Sequence, residues 1–278
     1  MTAINGKAAH SENSLLYAFV KLPCDVTAAG WLPGAGTGWR RVGEVSGHLN
    51  PGGQQFRDDD GAADPRVVAA LAAYQAGQDS EQAALTALAT ARLLVPVVAV
   101  LADGSAADGD KNSEMMLPTL IGQDGRPAVL AFTGLGPLAR WRPAARPVPA
   151  EASRVWRAAA AEGCAVVIDV AGPVPVAVEG ARLAALAAGL PVPPAHQDPD
   201  VRAEVEAAVA AEPVIAGFGL APSEQADLAV RLRTAVGDGP AGDWPAAVNR
   251  VARSIAGRLA ARLRRGIEIS VTGDPIGS

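Results

Sequence analysis

The sequence predicts an α+β fold: a mixed sheet with flanking helices in an N-terminal domain, plus a smaller α+β C-terminal domain. Three observations lead there. Between Leu93 and Trp141, three short apolar runs, each bounded by Gly/Asp-rich turns, lead into a helical pattern. Segments of helical periodicity flank that stretch on both sides. A proline-rich run, LPVPPAHQDP, then separates a second, shorter succession of helix and strand patterns. The expected organisation is a flexible Gly-rich segment over 1–53, an α+β domain over 54–189, a Pro-rich linker over 190–198 and a small α+β domain over 199–278.

In chain order, the first expected element is a short one near Leu15–Val20, followed by the glycine-rich stretch WLPGAGTGWRRVGEVSGHLNPGGQQ, which backbone entropy opposes ordering. Asp64 and Pro65 suit a helix start and Gly77 a stop, with Val67, Leu71 and Tyr74 on one face. Ser80 and Glu81 open a second helix that turns Leu85, Leu88 and Ala89 inward and ends near Arg92. Leu93–Leu101 is Val-rich on both faces, as in a strand covered on both sides. Glu114–Ile121 and Pro127–Phe132 read as a hairpin around Gly122–Gly125. Thr133 is the expected N-cap of a helix carrying Leu135, Leu138 and Trp141, stopped by Pro143.

A helix over about 150–162 ends at Gly163, a strand spans Cys164–Val170, and a short run Val174–Val178 leads into an Ala/Leu helix ending at Ala188. Beyond the linker, Asp198 and Pro199 start a helix with Val201, Val205 and Val209 on one face. Val214–Leu220 and Asp227–Arg233 read as strands. A long amphipathic helix from about Trp244 to Arg264 and a final strand, Ile267–Val271, complete the pattern.

Composition bounds the function. Apolar residues make up 49% of the 278 and charged residues 19%, within the globular range. A net charge of −5 argues against general nucleic-acid binding. No signal peptide and no apolar run long enough for stable membrane insertion are visible, so the expected location is cytoplasmic. Cys24 and Cys164 lack metal or redox spacing, and Cys164 reads as a small buried residue.

Five blocks in order, QFRDDDGAADP, LLVPVVAVL, EMMLPTLIG, AFTGLGPLARWRP and AVVIDVAGP, resemble the SseB-like family, whose name comes from bacterial serine-sensitivity-enhancing proteins. The likeness covers about 54–188, the family's N-terminal domain, and ARLRRGIEISVTG is similar to its smaller C-terminal domain. Residues 1–50 lie outside the resemblance. It implies an α+β protein and carries over no catalytic residues.

The residues themselves suggest few reactions. Gly134-Leu-Gly136-Pro-Leu-Ala139 has a dinucleotide-loop form, but Pro143 ends its helix early and the acidic residue such a site needs does not follow at the right distance. A helix cap is the better account. His10, His48 and His196 lie in Gly/Pro-rich chain, poor supports for acid–base chemistry. Asp103, Asp108, Asp110 and Glu114 are candidate ligands of a divalent metal, although the calcium-loop positions for Gly and Glu hold Ser113 and Thr119. The arginines near the chain's last helix fit an ordinary amphipathic helix better than a surface for acidic partners.

The expected function is therefore a non-catalytic binding or protein-interaction module that needs no cofactor. Its partner would be another protein or a second copy, with Phe132, Thr133 and Trp141 as interaction residues. The alternative is a divalent-metal-dependent enzyme using the acidic loop 103–114.

Overall fold

A computed structural model describes residues 4–7, 16–20, 37–41, 56–101, 113–122, 125–234 and 244–273. The class is α+β, as expected. The chain divides into two compact units: a central one of Thr27–Ala72 and Ala84–Val192, and a C-terminal one of Pro193–Ser278 with Met1–Val26 and Ala73–Ala83. The linear boundaries expected at 54 and 190 thus meet a partition that also assigns two earlier segments to the C-terminal unit.

Helix α1, Pro65–Gln75, starts as its sequence dictates: the Asp64 carboxylate accepts the Arg66 N–H at 2.8 Å, and Pro65 takes a first-turn position that needs no donor. Gly77 follows at φ 65°, a left-handed residue that ends the run. Helix α2 is Glu81–Ala89, with Leu85 and Leu88 fully buried and Ala89 only partly so.

Among the described residues the central unit is built on seven strands. They are β3 (Thr37–Arg41), β4 (Arg92–Leu101), β5 (Ser113–Ile121), β6 (Pro127–Ala131), β7 (Arg146–Glu151), β8 (Ala165–Ile168) and β9 (Val176–Val178). Their order is β7-β4-β5-β6-β8-β9, and β3 also pairs with β5. The hairpin expected between β5 and β6 is present, closed by the Gly122 N–H on the Arg126 carbonyl at 2.8 Å. Strands β6 and β8 are parallel, so the chain between them must cross over. That crossover carries α3 (Leu135–Trp141), β7 and α4 (Ala152–Ala161). Helix α5, Gly180–Ala188, follows β9. Leu94, Leu120, Leu130, Phe132, Leu138 and Val167 form a core cluster here.

Two expectations change in this unit. Strand β7 falls between the Pro143 stop and the helix expected from about residue 150, where the sequence predicts no element, and it carries Pro147 and Pro149. It lies at the sheet's edge, paired on one side only with β4, where missing donors are tolerated. Strand β8 ends at Ile168, two residues before the expected Val170, because Asp169 takes φ 50° and turns the chain.

In the C-terminal unit β1 (Ile4–Lys7), β2 (Leu16–Val20), β10 (Ile215–Ala221), β11 (Leu228–Thr234) and β12 (Ile267–Gly273) form a sheet of order β1-β2-β12-β11-β10. The segment 1–53 was expected to be flexible beyond Leu15–Val20. It supplies β1, β2 and β3, whose ladder hydrogen bonds offset the entropy of ordering them. Helix α6, Pro199–Ala210, buries Val201, Val205 and Val209 as its spacing predicts. Helix α7, Trp244–Leu259, buries Val248, Val251, Ile255 and Leu259, each contributing about 2 kcal/mol as an upper estimate.

α7 is shorter than expected. After Leu259 the turn tightens, with the Arg262 and Leu263 N–H groups both on the Leu259 carbonyl at 2.9 Å. The Tyr74 hydroxyl donates to the freed Ala261 carbonyl at 2.6 Å. Arg262 then bonds Asp198 at 2.5 Å and Glu81 at 3.1 Å, both carboxylates being buried. Burial opposes the Arg262 charge, but the two carboxylates outweigh it and hold the guanidinium more firmly protonated than usual. Removing one partner of such a set strands the others without solvent. Arg262→Ala should lower unfolding free energy by about 3 kcal/mol in urea titration. Arg258→Ala, which breaks only the exposed pair with Glu204, should cost less than about 1 kcal/mol.

Candidate functional site

The parallel pairing of β6 and β8 brings two chain exits side by side, and a set of bonded polar groups gathers there. The Asp169 N–H bonds the Ala131 carbonyl at 3.0 Å, which sets Asp169 beside Thr133. Its carboxylate, 3% exposed, accepts the Thr133 N–H at 2.8 Å and the Thr133 hydroxyl at 2.6 Å. Burial raises the Asp169 carboxyl above its ordinary range, against the lowering effect of both Thr133 bonds and of Arg140. Arg92, at the start of β4, reaches the same place. It donates to the Thr133 carbonyl at 3.0 Å and to the Ala62 carbonyl, and pairs with Asp59 at 2.9 Å. Asp59 in turn accepts the Gly61 N–H at 2.9 Å.

Thr133 is therefore not the helix cap that its position suggested. The cap is Gly134, which has no side chain to make a cap bond, and the Thr133 hydroxyl is committed to Asp169. A Cβ on Gly134 would stand 2.8 Å from the Ala63 nitrogen, so glycine is needed there for close approach of the 59–63 loop. The Gly61 carbonyl takes the Leu135 N–H at 2.9 Å. The GxGxxA form thus answers to loop packing around a seven-residue helix. Of the expected interaction residues, Phe132 and Thr133 are buried. Trp141 is half-buried, its ring centroid 5.6 Å from Phe132 and 5.3 Å from the Arg142 guanidinium. Leu135, on the same helix, is 42% exposed.

Residues 67–185 match the family model of the SseB protein N-terminal domain. The chain carries an SseB N-terminal domain. No curated protein and no solved structure matches the chain. The SseB match contains Arg92, Thr133, Trp141 and Asp169, and Asp59 precedes it. Four of the blocks that carry the resemblance thus meet, by these bonds or by adjoining Arg92, at the exits of β6 and β8.

Asp103, Asp108 and Asp110 lie outside the described residues, as do His10, His48 and Cys24. Glu114 holds a backbone position in β5 opposite Val100. Among the described residues no three of His, Cys, Asp and Glu assemble as metal ligands, and no helix is long and apolar enough to cross a membrane. Cys164 is buried, its thiol 3.6 Å from the Glu162 carbonyl.

The C-terminal unit holds a second polar cluster, a cleft of about 200 Å³ lined by Glu81, His196, Ser223, Asp227, Arg262 and Arg265 among others. Asp227 accepts the Arg265 N–H at 2.8 Å. Burial pushes its carboxyl from 3.8 up to about 6; the Arg265 bond and charge oppose this, and Glu81 and Asp79 reinforce it. Sequence reading missed this cluster, since Glu81, Asp198 and Arg262 lie in separate segments with no motif spacing.

Two tests follow from the geometry. Asp169→Ala leaves two Thr133 donors without a partner and should cost about 2–3 kcal/mol in denaturant unfolding. Asp169→Asn tolerates the left-handed backbone and should lose markedly less. For Asp227, the folded value exceeds the unfolded one, so the folded state binds the proton more tightly and stability falls as pH rises from roughly 4 to 6. Asp227→Asn keeps an acceptor for Arg265. It should stabilise the protein by about 1–2 kcal/mol at pH near 8, after allowance for solvent screening, and by nothing measurable near pH 4. Thermal melts at the two pH values check this.

Proposed function

We propose that this protein is a non-catalytic, cytoplasmic protein-interaction module whose SseB domain presents α3 to a partner protein. The observation that carries the reading is how the polar groups at the β6–β8 exits are used. The Asp169 carboxylate is enclosed and bonded twice by Thr133, and Arg92 is bonded to Asp59, Thr133 and Ala62. These bonds fix loops against one another. On the element they hold rigid, Trp141 and Leu135 offer apolar surface beside the Arg142 charge, the mixture that protein contacts use as anchors. The net charge of −5 favours a protein over nucleic acid as partner.

Crosslinking and affinity capture from native cells test the reading. A protein recovered at fixed stoichiometry with the wild type should be lost with Leu135→Glu, whose exposed position leaves the unfolding midpoint within about 0.5 kcal/mol of wild type. Trp141→Ala should weaken the same complex at least about tenfold. Divalent-cation-dependent turnover of a metabolite, abolished by Asp108→Asn with Asp110→Asn, would overturn the proposal.

A further inference from the structure

Strand β10 ends its sheet, and among the described residues no strand pairs with its outer edge. Its two faces differ. Phe218 lies opposite Leu232 and Leu220 opposite Val230, so these half-buried side chains share the inner, core-facing side. Arg202 of α6 covers the Phe218 ring at 5.7 Å. Gly217 lies opposite Arg233 and Gly219 opposite Arg231, so the outer face of the edge strand is bare backbone. The Arg233 guanidinium lies over that backbone: a Cβ at Gly217 would come within 2.7 Å of it.

Arg231 and Arg233 are both exposed, and among the described residues neither meets a carboxylate. Their neighbours on β12 are Ser270 and Thr272. The acid on that face, Glu268, stands in the next row, opposite Ala229, and accepts the Ser223 hydroxyl at 2.8 Å. The register shift between Ile215 and Gly217 leaves a regular ladder from Gly217 to Ala221 for pairing.

We infer that the free edge of β10 receives an extended partner segment that alternates acidic and apolar residues. This rests on the reading of the protein as an interaction module and names the surface and its ligand chemistry. Main-chain hydrogen bonds to the edge supply affinity. On one face of the added strand, carboxylates meet Arg233 and Arg231 across the glycines. On the other, apolar side chains continue the row of Phe218 and Leu220. A second copy pairing through β10 is a poorer occupant, because IAGFGLA carries no acid and would place arginine beside arginine. Nucleic acid offers no strand to pair with.

Fluorescence anisotropy on the full chain tests this with a short fluorescein-labelled peptide alternating Glu and Val. Binding should weaken at least about tenfold when Arg231→Glu and Arg233→Glu are combined, as expected for reversing exposed contact charges. It should also be lost when alternate peptide nitrogens are methylated, which removes ladder donors and keeps the charge. Equal binding of the methylated peptide, or of the charge-reversed protein, overturns the inference. So does tighter binding of a single-stranded oligonucleotide, or of a Lys/Val peptide. If the peptide fails while the Leu135-dependent complex persists, the interaction reading stands and β10 is not its surface.

Discussion

The two hydrogen bonds from Thr133 to Asp169 are the constraint around which the central unit's loops are arranged. Parallel strands leave their exits at the same end of a sheet, where neither chain can use the other's ladder. Asp169 resolves this by turning left-handed and offering its carboxylate to the neighbouring exit. The cost is a charge held in a dry place, visible as an elevated carboxyl pKa. The gain is a fixed start for α3, which the 59–63 loop then clamps through Gly61 and Gly134. Arg92 ties β4 into the same knot, so one end of the sheet behaves as a single piece.

The C-terminal unit uses the same device with the charges reversed in role. There an arginine lies at the centre and two carboxylates surround it. Asp198 both caps α6 and holds Arg262, so the start of one helix and the turn after another share one side chain. In both units the buried charged group is compensated by hydrogen-bonding or oppositely charged partners, and those partners come from other stretches of chain.

Much of this was legible beforehand. The caps at Asp64 and Asp198, the hairpin at Gly122–Gly125 and the buried faces of α6 and α7 follow from local chemistry. So does the burial of Cys164, and the five-block likeness pointed to the domain that the family model matches. What escaped were features decided by distant partners. Thr133 has the chemistry of a cap, and only the proximity of Asp169 redirects its hydroxyl. Pro147 and Pro149 disfavour a strand until an edge is available to hold them. The glycine-rich start of the chain looks unable to order itself, and indeed its strands pair with sheets whose other strands lie far along the sequence. Phe132 and Trp141 were singled out together, yet one is interior and the other half-exposed, a difference that helical and strand periodicities do not encode.

The position of β2 has a consequence for how the molecule comes into being. Val20 lies opposite Ile267, so β2 pairs with a strand that is made long after it. During synthesis β2 has no sheet to join, and β1 can pair only with β2. The central unit, by contrast, has its strands from β4 onward complete before α6 is made. Folding from the ribosome is therefore ordered in time: the strands from β4 to β9 can settle first, while β2 waits for β12.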